Sequence, residues 1–342
     1  MRSRRSLPSF VRPVLGPVLG ASTSVALASL GAVALGASGC GSTPAPDDAA
    51  VTIDAAMELD APAPSDDAAS DAGVVPGTLM IGPAERPARM IVPPQHDGVS
   101  ALPIVILLHG YGASASLQDA YFATTRLSRE LGFYLVLPDG TMDSGGSRFW
   151  NAGGCCDFGG ADVDDVAYLT ALLDDAEARV PVDAGRVYFL GHSNGAFMSY
   201  RMACVLSERI TAVAALAGTE ATMVACEPTR PVSVLHMHGT ADTTIPYVGG
   251  MLGTVPYRGA EDEVAQWRMR DGCDESTVDG GAREYDAMVA GEESHVTTWP
   301  ACSAGTTVEL WRMDGSGHIP SLGGASGAPH AILEWLLARR RT

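Results

Sequence analysis

Between residues 76 and 342, short apolar runs alternate with longer stretches whose apolar positions recur at helical spacing. The runs are 103–108 (PIVILL), 133–137 (FYLVL), 186–190 (RVYFL), 212–216 (AVAAL), 232–237 (VSVLHM) and 308–313 (VELWRM). Each is rich in branched side chains, and each is followed closely by Gly, Asp or His. Helical spacing predicts helices over about 117–131, 162–179, 194–207, 260–271 and 328–340, while 77–82 and 88–92 read as an antiparallel hairpin. Alternation of this kind predicts an α/β fold, a mostly parallel central sheet with helices on both faces, as one domain of residues 76–342. In such sheets chemistry collects at the carboxyl ends of the strands. Those ends carry His109-Gly110, Asp139-Gly140, Gly191-His192-Ser193, Gly218, His238-Gly239 and a loop from Asp314 to His318.

The pattern changes before residue 76. Residues 1–39 place Arg2, Arg4, Arg5 and Arg12 ahead of an Ala/Leu/Val/Gly stretch that ends in Ala37-Ser38-Gly39-Cys40. A basic head, a short apolar core and small residues at the end describe an export signal peptide rather than a membrane span. Its end resembles a bacterial lipobox, with Ala37 where leucine is usual, and predicts lipidation of Cys40 and attachment to a membrane. Ser3-Arg4-Arg5 also resembles a twin-arginine signal, and the export route stays open. From residue 40 to 75 the chain is an acidic tether, mostly Ala, Asp, Pro, Ser and Thr and without a basic residue, too polar to repay the entropy of ordering it.

Charge narrows the partners. Without the four leader arginines, 18 basic residues face 40 acidic ones, which argues against nucleic acid. The chain has no lysine, so a P-loop lysine and a Schiff-base lysine are excluded. Besides Cys40 there are Cys155, Cys156, Cys204, Cys226, Cys273 and Cys302, an even set that in an exported protein predicts disulfides. The adjacent pair Cys155-Cys156 lacks the spacing by which two thiolates share a zinc ion. The cysteine positions alone do not select among the possible pairings.

Gly191-His192-Ser193-Asn194-Gly195 fits G-x-S-x-G, a pattern that is weak alone in a chain with 39 glycines. Its context strengthens it. Ser193 directly follows the apolar run 186–190 and precedes a predicted helix, as a nucleophile on a sharp strand-to-helix turn requires, with small residues on either side. A serine hydroxyl needs a base to take its proton and an acid to orient that base. Asp242 lies just after the run 232–237. Of the histidines that follow it, His318 stands in a Gly-rich loop between the last run and the final helix. The expected triad is Ser193, Asp242 and His318, in the chain order of the α/β-hydrolases. Backbone N–H groups of Asn194 and Tyr111, the latter in His109-Gly110-Tyr111-Gly112, are the expected oxyanion donors. His109 itself reads as a buried, hydrogen-bonded histidine.

On these residues the body resembles the secreted α/β-hydrolase esterases that include feruloyl esterases, acetylxylan esterases and polyhydroxybutyrate depolymerases. The segments that carry the resemblance are LLHGYG (107–112), FWNAGGCCDF with VDDVAYL (149–169), GHSNGAFMSYRMAC (191–204), HMHGTADTTIPYVGG (236–250) and GSGHIP (315–320). The resemblance implies a serine carboxylic-ester hydrolase with no metal or cofactor, acting on small or polymer-linked esters. It also implies that Cys155 and Cys156 pair with Cys204 and Cys226, in either order, and that Cys273 pairs with Cys302. One departure bears on specificity. Many members carry a tryptophan shortly after the equivalent of His318, whereas here Ile319 is followed by Pro320. Trp150 and Tyr247 are candidates to line the substrate cleft, and Asp164 and Asp165 read as carboxylates capping a helix N-terminus. Two alternatives are a serine peptidase on the same fold, separable by testing peptide anilides against simple esters, and a non-catalytic surface-binding lipoprotein, separable by a fluorophosphonate probe.

Overall fold

The computed structural model describes residues 77–323 and 327–342. The expected signal peptide (1–39), the lipidated Cys40 and the acidic tether to residue 75 lie outside the described residues. The described part falls in a compact unit, Ala69–Thr342.

The chain begins with β1 (Gly77–Ile81) and β2 (Ala88–Val92), then β3 (Leu102–Leu108), α1 (Ala115–Phe122), α2 (Thr124–Leu131) and β4 (Tyr134–Leu137). Two short strands, β5 (Thr141–Met142) and β6 (Arg148–Phe149), precede α3 (Asp165–Arg179), β7 (Val182–His192), α4 (Asn194–Val205), β8 (Ala212–Leu216) and β9 (Ser233–Gly239). The last part holds β10 (Gly249–Leu252), β11 (Val255–Arg258), α5 (Ala260–Arg270), β12 (Val278–Arg283), β13 (Ser294–Trp299), β14 (Val308–Met313) and α6 (Ala328–Leu337). The main sheet runs β1-β2-β4-β3-β7-β8-β9-β14-β13-β12. Its six middle strands, β4 to β14, are parallel, and each edge is an antiparallel extension.

The six apolar runs are these six middle strands, and they are apolar throughout because both faces of the sheet are covered. Alternate residues serve opposite layers. Ile104, Ile106, Phe189 and Val213 pack with α3, α4 and α5 on one face, whereas Val105, Leu107, Leu190 and Ala214 pack with α1, α2 and α6 on the other.

Two expectations are corrected, and one pair of strands was not foreseen. The helix expected over 117–131 is two helices, because Ala123 takes a left-handed conformation (φ 51°) and breaks the turn between α1 and α2. The edge strands β12 and β13 lie in a stretch too polar to show an apolar run. The disulfides join Cys204 to Cys226 and Cys273 to Cys302, but Cys155 is joined to its neighbour Cys156 rather than to Cys204 or Cys226. The physical reason is local. The segment after β8 returns to the end of α4 and brings Cys226 to Cys204 with their Cα atoms 5.0 Å apart, leaving neither sulfur for the 155–156 pair.

Candidate active site

Ser193 sits where β7 ends and α4 begins, at φ 54° and ψ −122°, a backbone region that residues with a side chain rarely occupy. The turn is held from several sides. Ser193 N–H donates to the Leu216 carbonyl on β8 at 2.8 Å, and the Ser193 carbonyl accepts from Ala196 and Phe197. The flanking glycines are required by space: a Cβ on Gly191 would stand 2.1 Å from the Gly195 oxygen, and one on Gly195 would stand 2.2 Å from the Leu108 oxygen. Strand, turn and helix approach too closely for any side chain at either position.

His318 and Asp242 reach the same place from loops after β14 and β9. His318 Nε2 is 2.9 Å from Ser193 Oγ, and His318 Nδ1 is 2.7 Å from Asp242 Oδ2. The two loops are fastened together, since Ala241 N–H donates to the Ser316 carbonyl at 3.0 Å and Gly315 N–H donates to Thr240 Oγ1 at 2.9 Å. Burial alone would raise the Asp242 pKa, but the nearby His238 Nε2–H, and hydrogen bonds from His318 and the Ile245 N–H, outweigh it and hold the carboxyl well below its usual range. Asp242 is therefore ionised at neutral pH and fixes the His318 proton on Nδ1, which leaves Nε2 free to accept from the Ser193 hydroxyl.

The chain resembles known esterases in sequence and in fold. Residues 161–266 match the phospholipase/carboxylesterase family model. The chain is 28% identical over 235 residues to feruloyl esterase B of Piromyces equi, a match that takes in 66% of this chain and 41% of that protein. It is 27% identical over 257 residues to a probable feruloyl esterase C of Aspergillus clavatus, covering 72% of this chain and 81% of the relative. Among solved structures, the acetyl xylan esterase from Aspergillus awamori superposes with a TM-score of 0.52 at 17% identity, covering 76% of this chain and 98% of that one. The chain has the α/β-hydrolase fold. The resemblance to feruloyl and acetylxylan esterases seen in the motif segments holds in these relatives, although the chain spans less than half the length of the first of them.

Within this fold the loop after β3 lies against the elbow. A Cβ on Gly110 would be 3.4 Å from the Ser193 Cβ, which brings Tyr111 beside the serine. Asn194 is clasped from behind, its side-chain oxygen accepting from Trp150 N–H at 2.7 Å and its side-chain nitrogen donating to the Trp150 carbonyl at 2.9 Å. The Trp150 indole N–H donates to the His109 carbonyl at 3.0 Å. Trp150 is thus fully buried and lines no cleft, contrary to the expectation for it. It ties the elbow to the loop after β3. Tyr247 does not line the cleft at Ser193 either: its hydroxyl donates to Glu261 at 3.2 Å, and Glu261 belongs to a separate groove of about 480 Å³ with Arg268, His295, Trp299 and Arg312. His109 is buried, and both ring nitrogens are engaged, Nδ1–H with the Gly110 carbonyl and Nε2 with the Gly140 N–H. Asp164 caps α3 through the Ala167 N–H at 2.9 Å, but Asp165 turns inward to Arg86 at 2.7 Å and the Asn151 N–H at 2.7 Å.

The cleft at Ser193 has a volume of about 250 Å³ and is walled by Tyr111, Leu117, Tyr121, His318 and Ile319. Its mouth is apolar, with Tyr111 41%, Leu117 64% and Ile319 69% exposed. Two residues passed over in the sequence hold the His318 loop. His192 Nε2–H donates to the His318 carbonyl at 2.9 Å, and the Tyr121 hydroxyl donates to the Pro320 carbonyl at 2.7 Å. Burial lowers the His192 pKa to about 4, so it remains a neutral donor. The x of G-x-S-x-G was the available signal for His192, but nothing in a single sequence tells that position's role from a filler.

Proposed function

We propose that this chain is a serine esterase that hydrolyses carboxylic esters through an acyl-enzyme, with Ser193 as nucleophile, His318 as base and Asp242 as the acid that orients it. The observation that carries the reading is the unbroken contact from Ser193 Oγ through His318 to Asp242 at a strained elbow. Ser193 Oγ attacks the ester carbonyl carbon as His318 Nε2 takes its proton. The backbone N–H groups of Tyr111 and Asn194 hold the oxyanion. His318 then gives the proton to the departing alcohol oxygen as the ester C–O bond breaks. Water, deprotonated in turn by His318, attacks the acyl-enzyme and releases the acid, returning the proton to Ser193.

The substrates proposed are esters of the feruloyl and acetyl type on polysaccharide, or polyhydroxyalkanoate-type esters. Similarity to feruloyl esterases supports the first group. The apolar mouth formed by Tyr111, Leu117 and Ile319 suits an apolar or aromatic acyl group over a charged one. We further propose that the enzyme is exported. The basic and apolar leader with Cys40 and the three disulfides support that location. The test is a comparison of methyl ferulate, an acetylated xylan, a 3-hydroxybutyrate oligomer and a peptide anilide on one purified sample. Turnover of at least one ester and none of the anilide is expected, and cleavage of the anilide alone would refute the esterase reading.

A further inference from the structure

Asp242 is also the end of a line of buried polar side chains that the triad leaves unused. Alternation along β9 sets His236 and His238 on the same face of the sheet, the face that α4 covers with Tyr200. The Tyr200 hydroxyl lies 2.8 Å from His236 Nδ1, and His236 Nε2 lies 3.3 Å from His238 Nδ1. His238 Nε2 then meets the Ile245 carbonyl at 2.7 Å and stands 3.4 Å from Asp242 Oδ2. Tyr200, His236 and His238 are each completely buried.

The direction of the line follows from its last member. A carbonyl only accepts, so His238 carries its proton on Nε2. Its Nδ1 is then a lone pair that receives His236 Nε2–H, and His236 Nδ1 receives the Tyr200 O–H. The Ile245 peptide closes the arrangement: its carbonyl is held by His238 while its N–H donates to Asp242 Oδ1 at 2.8 Å, beside the Thr244 N–H at 2.8 Å. One imidazole N–H thereby fixes the loop that cradles Asp242 and turns its positive end toward the carboxylate. Apolar side chains would fill the same layer between β9 and α4 without loss of packing, so a run of matched donors and acceptors ending at an ionised acid is more than core filling.

We propose that His238 is a positioning residue for Asp242, kept in its Nε2–H tautomer by Tyr200 and His236, and that it sets the acid in place for His318. This inference rests on the esterase reading above. Its test has two parts. In the wild-type protein, nitrogen-15 shifts of the imidazoles should show both His236 and His238 protonated on Nε2 and bare on Nδ1, and a proton on His238 Nδ1 would overturn the proposal. In ester hydrolysis, His238→Phe should lower kcat roughly ten- to a hundredfold, the size of one buried hydrogen bond whose loss leaves the Ile245 carbonyl without its partner, with KM changed less than about twofold. His238→Gln, whose amide N–H reaches the same position, should recover most of that loss. A folded His238→Phe with wild-type kcat, or with an effect on KM alone, overturns the proposal; if that variant does not fold, the tautomers and the glutamine variant decide it. Ser193→Ala separates the two readings: inactive Ser193→Ala beside fully active His238→Phe removes only the role of His238, whereas active Ser193→Ala removes both.

Discussion

Asn194 and Trp150 hold each other by both edges of one side-chain amide, across 44 residues of chain. The residue that follows Ser193 is thus fixed to the segment behind the elbow, and through the Trp150 indole to the loop after β3. Asn194→Ala leaves a buried N–H and a buried carbonyl of Trp150 without partners, at a cost of about 1–3 kcal/mol each. Urea unfolding should show a loss in that range, and kcat should fall with it because Asn194 N–H loses its fixed place. Unchanged unfolding and unchanged kcat would mean that the clasp is idle.

Space at the elbow yields a sharper contrast. Gly195→Ala drives a Cβ to 2.2 Å from the Leu108 oxygen, and nothing there is a flexible side chain that moves aside. The expected cost is about 3 kcal/mol or more, at the upper end for overpacking, with little folded protein recovered. Gly317→Ala, where a Cβ meets nothing within 4 Å, is the control and should unfold at the wild-type denaturant concentration.

The parts of this fold that could be read in advance are those in which burial writes itself into composition. The six middle strands are covered on both faces, so each is an apolar run, and the site residues Ser193, Asp242 and His318 stand just beyond three of them. What stayed hidden depends on three-dimensional neighbours. β12 reads as Val-Asp-Gly-Gly-Ala-Arg because an edge strand is held by backbone pairing to β13 and needs no apolar face. The break at Ala123 is a single backbone torsion that no propensity marks. Trp150 beside a cysteine pair suits a cleft as well as a core, and only its bonds to Asn194 and His109 place it in the core. His236 and His238 lie inside a motif segment, yet their value comes from Tyr200, 36 residues from His236 on α4 in another layer.

Two buried acids contribute to the dependence of stability on pH. Burial, and then the charge of Glu220, raises the Glu263 pKa to about 7, and burial raises Asp271 to about 7. Both ionise well below that in the unfolded chain, near 4.5 and 3.8. Between those values and about pH 7 each of these two groups holds more protons in the native state than in the unfolded one, so its contribution to stability falls as pH rises through this window. Each group contributes on the order of 3 kcal/mol across it. The buried histidines, His192 lowered to about 4 among them, act the other way below about pH 6.5, so the check is a difference: in denaturant unfolding from pH 4.5 to 8, wild-type stability should fall relative to that of Glu263→Gln. A wild-type-minus-variant difference that stays flat or rises through this window would contradict the assignment.

The long-range disulfides should matter more than the adjacent one. Cys204–Cys226 and Cys273–Cys302 close loops of 22 and 29 residues of separation, each worth roughly 3 kcal/mol through the unfolded chain, whereas Cys155–Cys156 closes none. Replacing Cys204 and Cys226 together by serine should lower unfolding stability by about that amount, with Cys155 and Cys156 together costing less. Peptide mapping under non-reducing conditions checks the pairing directly, and a peptide joining Cys155 or Cys156 to Cys204 would overturn it.

The central claim is that Ser193 attacks the substrate. Incubating the folded, oxidised protein with a fluorophosphonate and mapping the adduct by mass spectrometry tests it most directly. The label should fall on Ser193, abolish ester hydrolysis in proportion to occupancy, and be absent from a Ser193→Ala variant that keeps the wild-type melting temperature and has no activity. Ester hydrolysis that survives in Ser193→Ala, or a label on another serine with Ser193 unmodified, would contradict the account.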